Sequence, residues 1–211
     1  MKRSFLLFVL LCVSISVFAQ TTTFGVKAGF NFANLIYSGV PKGSSESTQS
    51  RIGFQAGGLV DFEFGNVLVQ PGVLFSTKGG ESTGGPGVEK LVFNYIDVPL
   101  NVLYKLPSGD NAIYVGAGVY YDYGLSAKAT FDAQTEGKPD THTRANVFFG
   151  SAADQFKNPD FGLNFLAFYQ FKWGMMINAG YSLGMTNLSN VVTASKIQNQ
   201  VISISAGYFF K

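Results

Sequence analysis

Eight stretches of the chain alternate between apolar and small or polar residues, the period-two signature of a half-buried strand. In the first, Phe24, Val26, Ala28, Phe30 and Phe32 oppose Gly25, Lys27, Gly29 and Asn31. The second sets Ile52, Phe54, Ala56, Val60 and Phe62 against Arg51, Gly53, Gln55, Gly57 and Asp61, and the third sets Val67, Val69, Val73 and Phe75 against Gln70, Gly72, Ser76 and Lys78. The fourth, around Ile96–Tyr104, carries Asp97, Asn101 and Lys105 on its polar face; the fifth, around Ile113–Tyr123, carries Gly116, Gly118, Tyr120 and Asp122. The remaining three run over 161–171, 175–184 and 202–210. Five of the eight contain an Ala-Gly step, with alanine on the apolar face and glycine on the other, at 28–29, 56–57, 117–118, 179–180 and 206–207. Glycines on an inner face leave room for larger neighbours in a narrow barrel.

The connections alternate strictly in length. Glu63–Asn66, Pro107–Asn111 and Lys172–Gly174 are short; Tyr37–Ser50, Gly79–Lys90, Ser126–Pro159 and Asn187–Asn199 are long and polar. Successive connections of an up-and-down barrel emerge on opposite rims, and barrels of the outer membrane have short periplasmic turns and longer external loops. The pattern therefore predicts an all-β, eight-stranded, antiparallel, up-and-down transmembrane β-barrel. Its apolar face points to lipid and both termini are periplasmic. Phe24, Phe62, Tyr104, Phe171, Trp173, Tyr208 and Phe210 then fall near one rim, as a periplasmic aromatic girdle.

Composition points the same way. Charged residues make up only 13% of the chain and aromatics 15%, against about 25% charged in a soluble domain. After residue 19 no apolar run approaches the ~20 residues of a membrane helix. The first residues have another character. Lys2 and Arg3 precede an apolar run ending at Phe18, and Val17-Phe18-Ala19 suits cleavage after Ala19. Residues 1–19 read as a cleaved signal peptide and 20–211 as an outer-membrane β-barrel domain. Removal of Lys2 and Arg3 cancels the formal charge of +2, so a nucleic-acid partner gains no support. The single cysteine, Cys12, lies inside the discarded segment, so the mature chain has no thiol nucleophile or thiolate metal site.

Three segments carry a family resemblance. Phe24-Gly25-Val26-Lys27-Ala28-Gly29-Phe30-Asn31 resembles the opening strand of the PorT-type outer-membrane barrels of Bacteroidetes. Tyr95-Ile96-Asp97-Val98-Pro99-Leu100 and Tyr181–Leu188 resemble two further strands of that family. The resemblance implies a small eight-stranded barrel inserted by the outer-membrane assembly machinery, with a link to protein secretion and surface assembly.

Candidate chemistry is sparse. The one histidine, His142, sits near Asp140, Arg144 and Ser151 in the longest connection, without the G-x-S-x-G turn of a hydrolase or partners for a metal site. No catalytic residue, cofactor or metal is expected. The informative residues are those that alternation places inside the barrel: a lumen polar network of Lys27, Asn31, Arg51, Gln55, Asp61, Gln70, Lys78, Asp97, Asn101, Lys105 and Asp122. Charges in such a place must be paired, and Lys27 with Asp61 is the predicted pair. Phe148 and Phe149, in the long connection, are expected either to dock a partner or to fold over the mouth. The sequence thus suggests a non-enzymatic outer-membrane scaffold, or an accessory to secretion or surface assembly. Its partners would be outer-membrane lipid, the assembly machinery during insertion, and a secretion-system or surface protein. The alternative is a narrow porin or small-ligand-binding barrel.

Overall fold

A computed structural model describes residues 21–39, 48–82, 87–133, 141–152, 155–190 and 196–210. The expected signal segment lies outside the described residues. Nine strands follow one another: β1 (Thr21–Ser38), β2 (Arg51–Phe64), β3 (Val67–Ser82), β4 (Gly87–Ser108), β5 (Asn111–Ala133), β6 (Thr141–Val147), β7 (Asp160–Gln170), β8 (Met175–Gly184) and β9 (Lys196–Phe210). All neighbours pair antiparallel, and the ring closes where β1 meets β9 and β4 meets β5. Eight strands make the ring, as the alternation predicts. The ninth, β6, pairs with the far end of β5 beyond the point where β7 stops.

The closed ring satisfies the backbone of every wall strand, which is the only way strands can cross lipid. Phe30, Ile52, Phe54, Val73, Val119, Phe161, Ile202 and Ile204 are exposed on its outer surface, while Asn31, Gln55, Gln70, Asn101 and Asp122 are buried inside. Each short turn carries a glycine at positive φ, Gly65, Gly109 and Gly174, a conformation that costs other residues steric strain. We call this end, which also holds both chain termini of the barrel, the turn mouth; the opposite end is the loop mouth.

The long connections differ from expectation. Much of Gly79–Lys90 is strand, because β3 and β4 stay paired out to Ser82 and Glu89. Of Ser126–Pro159, β5 takes the part through Ala133 and β6 takes Thr141–Val147. Gly79–Lys90 is mostly glycine and polar residues, so its alternation fades although its pairing continues, whereas Ser126–Ala133 still sets Ala127, Ala129, Phe131 and Ala133 against polar residues. β3, β4, β5 and β6 therefore project as a sheet. Beyond its last pair with β7, at Asp122, β5 runs on through Ala133, roughly 35 Å of extended chain.

Candidate functional site: the filled lumen and the loop mouth

The interior is layered from one mouth to the other. At the turn mouth, Glu63 pairs with Lys105, and Lys172 with Asp110 at 3.1 Å, around an open vestibule of about 580 Å³. Behind it lies an apolar plug of Leu59, Leu68, Leu103, Tyr114, Phe168, Met176 and Phe209. Tyr114 stacks on Phe168 at 4.5 Å. These residues sit on the phase that elsewhere carries polar groups. The detectable signal is a run that is apolar on both faces, such as Tyr208-Phe209-Phe210 or Met175-Met176-Ile177. Room for the plug comes from a glycine: a Cβ on Gly25 would stand 2.4 Å from the Phe209 ring.

The middle of the lumen is polar. Gln70 donates to Asp61 at 2.9 Å beside the plug. Asn31 donates to Ser76 at 3.0 Å and to the Thr77 carbonyl at 3.2 Å. Asn164 bridges Asn101 and Ser182. Lys27 does not pair with Asp61. The β1–β2 register sets Lys27 across from Gly57 and Asp61 across from Thr23, four residues away along β1. Lys27 instead shares a cavity of about 30 Å³ with Gln55, Asp97, Asn101 and Ser203, room for roughly one or two waters. The misjudged pair rests on the shear between strands, which alternation alone does not reveal.

Above this band three carboxylates lie in one row on adjacent strands. Asp97 is directly opposite Asp122, and Asp122 directly opposite Asp160. Like charges in such positions repel. Lys78 from β3 neutralises the row: its Nζ is hydrogen-bonded to Asp122 Oδ2 and lies 3.9 Å from Asp97 Oδ2. It also lies 4.2 Å from the centre of the Tyr120 ring, a cation–π contact. Asn199 donates to Asp160 at 2.8 Å. Asp160 and Asn199 escaped the sequence reading because their alternating segments were started one residue and three residues too late. Tyr120 fits here because the strand facing it carries Gly162, whose Cβ would stand 2.4 Å from that ring.

Arg51 and Lys105 sit at opposite mouths and are half-buried. In the girdle, Phe24, Tyr104, Trp173, Tyr208 and Phe210 are exposed at the turn end, and Phe171 packs on Trp173 at 5.7 Å between ring centres. Phe62 does not join them. It is only 9% exposed, with Thr22 and Val69 directly across from it on the flanking strands.

The loop mouth is closed by aromatic packing. Phe93, Tyr95 and Leu188 are fully buried there, with Phe149 and Phe156 packed against them. Phe156 meets Phe93 edge-on at 4.8 Å, and Phe149 lies 5.7 Å from Tyr95. Backbone bonds Gly150 N to Phe156 O and Lys157 N to Leu188 O, each 2.9 Å, hold the loop down. The Asn190 side chain donates to the carbonyls of Gly150, Ala152 and Gln155. Phe148 and Phe149 thus part company: Phe149 is committed inward, whereas Phe148 is 66% exposed. Adjacent residues of an extended segment face opposite ways, so both could not dock a partner. We expect Phe149→Ala to lower barrel stability by about 2–4 kcal/mol and Phe148→Ser to change it by less than about 0.5 kcal/mol, measured by urea unfolding in detergent. His142 lies on β6, across from Asp132, rather than in an open loop.

The outer-membrane protein beta-barrel domain model matches residues 18–209. Ail of Yersinia pestis, solved with the heparin analogue sucrose octasulfate, is 14% identical, with 90% of this chain and 100% of that one covered and a TM-score of 0.44. Neisserial surface protein A is 15% identical over 90% and 100%, with a TM-score of 0.46. The N-terminal barrel of Pseudomonas aeruginosa OprF is 11% identical over 87% and 97%, with a TM-score of 0.30. No curated protein matches the chain. With its closed ring, apolar outer wall and filled interior, and with the family model spanning nearly all of it, the chain belongs to the outer-membrane protein β-barrel domain family.

Proposed function

We propose that this barrel is a non-enzymatic scaffold of the outer membrane, an accessory to secretion or surface assembly of the PorT type. It is exported by cleavage after Ala19 and has both termini in the periplasm. The observation that carries this reading is the sheet projecting from the loop mouth. It ends on β6, which pairs only with β5 among the described strands. A strand edge with unpaired N–H and C=O groups is a template for a partner, and Phe148 stands exposed beside it. A crosslinker placed at Phe148 in native outer membranes is expected to capture a reproducible protein partner. Capture should be lost when Asn146 on β6, whose N–H faces away from β5, is replaced by proline, which removes an edge donor. Labelling no different from an outward site such as Ile52 would overturn the reading.

The narrow-porin alternative finds little support in a lumen filled by an apolar plug, an ionic row and an aromatic cap. We expect purified protein to add no discrete conductance steps to a planar bilayer. Reproducible steps abolished by reducing the pH or by blocking the vestibule would favour the porin.

A further inference from the structure

We propose that the outer surface of β5 and β6, just above the apolar belt, is a binding site for a phosphate-bearing lipid. Strand β5 changes partner there. Its pairing with β7 ends at Asp122–Asp160 and its pairing with β6 begins at Ala127–Val147. Between these points the side chain of Asn158 stands in for a strand, accepting from Gly124 N at 2.9 Å and donating to Gly124 O at 3.1 Å. The substitute is one residue long, so a notch opens in the wall. It is a cavity of about 460 Å³ lined by Tyr123, Leu125, Ser126, Asn146, Phe148 and Asn158. The register skips Leu125, passing from Tyr95–Gly124 to Asn94–Ser126. A bulge of this kind re-aims a side chain, and Leu125 is exposed at the notch.

The notch lies at a membrane boundary. Tyr123 forms its lower edge and Tyr121 and Phe161 lie below it, exposed aromatics of which Tyr121 and Phe161 meet edge-on at 5.1 Å; tyrosine favours the interfacial level. Above it, on the same face, stand two cations. Lys128 is directly across from Asn146, and Arg144 lies one side-chain step further along β6. Both are exposed, and neither has a carboxylate within 4 Å among the described residues. Of the acids on that face, Asp132 is engaged by Lys90 at 3.4 Å and Glu81 stands directly across from Lys90 on β3, three strands from Arg144. A notch at the edge of the apolar belt, with Tyr123, Leu125 and Phe148 on its apolar side, Ser126, Asn146 and Asn158 on its polar side and two cations at headgroup height, suits one kind of occupant. Its acyl chain lies against Tyr123, Leu125 and Phe148, and its phosphate meets Lys128 and Arg144.

The test is native mass spectrometry of the full barrel released from detergent with dimyristoyl phosphatidic acid or dimyristoyl phosphatidylcholine. Phosphatidic acid is expected to be retained preferentially, on the order of tenfold. That preference should collapse in Lys128→Gln/Arg144→Gln, whose folding is followed separately by the heat-dependent electrophoretic shift. Lys172→Gln, at the opposite mouth, should keep the preference, and Leu125→Ser should weaken retention of both lipids. Equal retention of the two lipids by the natural chain would overturn the proposal. So would a preference unchanged in the double variant, or full displacement by inorganic phosphate, which would mark a free-anion site.

Discussion

Replacing Lys78 by methionine is expected to destabilise the barrel by about 3–5 kcal/mol. Methionine keeps the length and the apolar stem and removes only the charge. The loss leaves Asp97, Asp122 and Asp160 in one row without a cation, in an interior that excludes bulk water. Three buried carboxylates then face one another with no cation to balance them, and burying uncompensated like charge competes with folding. The measurement is the urea midpoint of the electrophoretic shift that separates folded from unfolded barrel. A second variant tells charge from packing: Lys78→Met with Asp122→Leu should recover much of the loss, since an apolar pair of similar volume replaces a buried ion pair at little cost. If the double variant is no more stable than the single one, the ionic row does not hold this part of the lumen together.

Phe209→Ala should cost a further comparable amount, about 3–5 kcal/mol, whereas Phe210→Ala should cost far less. The two residues are neighbours in the chain and nearly identical in chemistry. Phe209 is fully buried in the plug with Leu59, Leu103, Phe168 and Met176, while Phe210 is 55% exposed on the lipid side. Truncating the first leaves a cavity ringed by atoms that lose their contacts. Truncating the second exchanges ring contacts for lipid contacts, apart from its edge-on packing with Tyr208 at 5.4 Å. The same unfolding series reads both. Similar losses would mean that the turn-mouth plug is not a packed layer.

These two pairs also mark how far the amino-acid pattern reaches. The eight wall strands and their in–out phase are local properties, written in which residues alternate with which, and both were legible around Phe24–Phe32 and Ile113–Tyr123. The three short turns were legible as the brief breaks between alternating segments, while the positive φ of their glycines at 65, 109 and 174 belongs to the structure. The glycines facing inward were legible as a pattern but not in purpose; that Gly25 makes way for Phe209 and Gly162 for Tyr120 appears only when the strands are set side by side. The projecting ends of β3 and β4 carry glycine and polar residues at both phases and so no strand signal, while the end of β5 keeps a weak one, in which small alanines at 127, 129 and 133 alternate with polar residues.

What the sequence determined by itself was the architecture: lipid on one face of each strand demands apolar residues at every second position, and a chain of alternating segments joined by turns and loops closes into a ring. Only the tertiary structure decided which interior residues meet. Lys27 is separated from Asp61, Lys78 is delivered to Asp122, Phe149 is turned inward and Phe148 outward, and a notch opens where β5 changes partners. Each of these depends on the stagger between neighbouring strands around the ring, a quantity fixed by closure and by the hydrogen-bond register of all eight strands together.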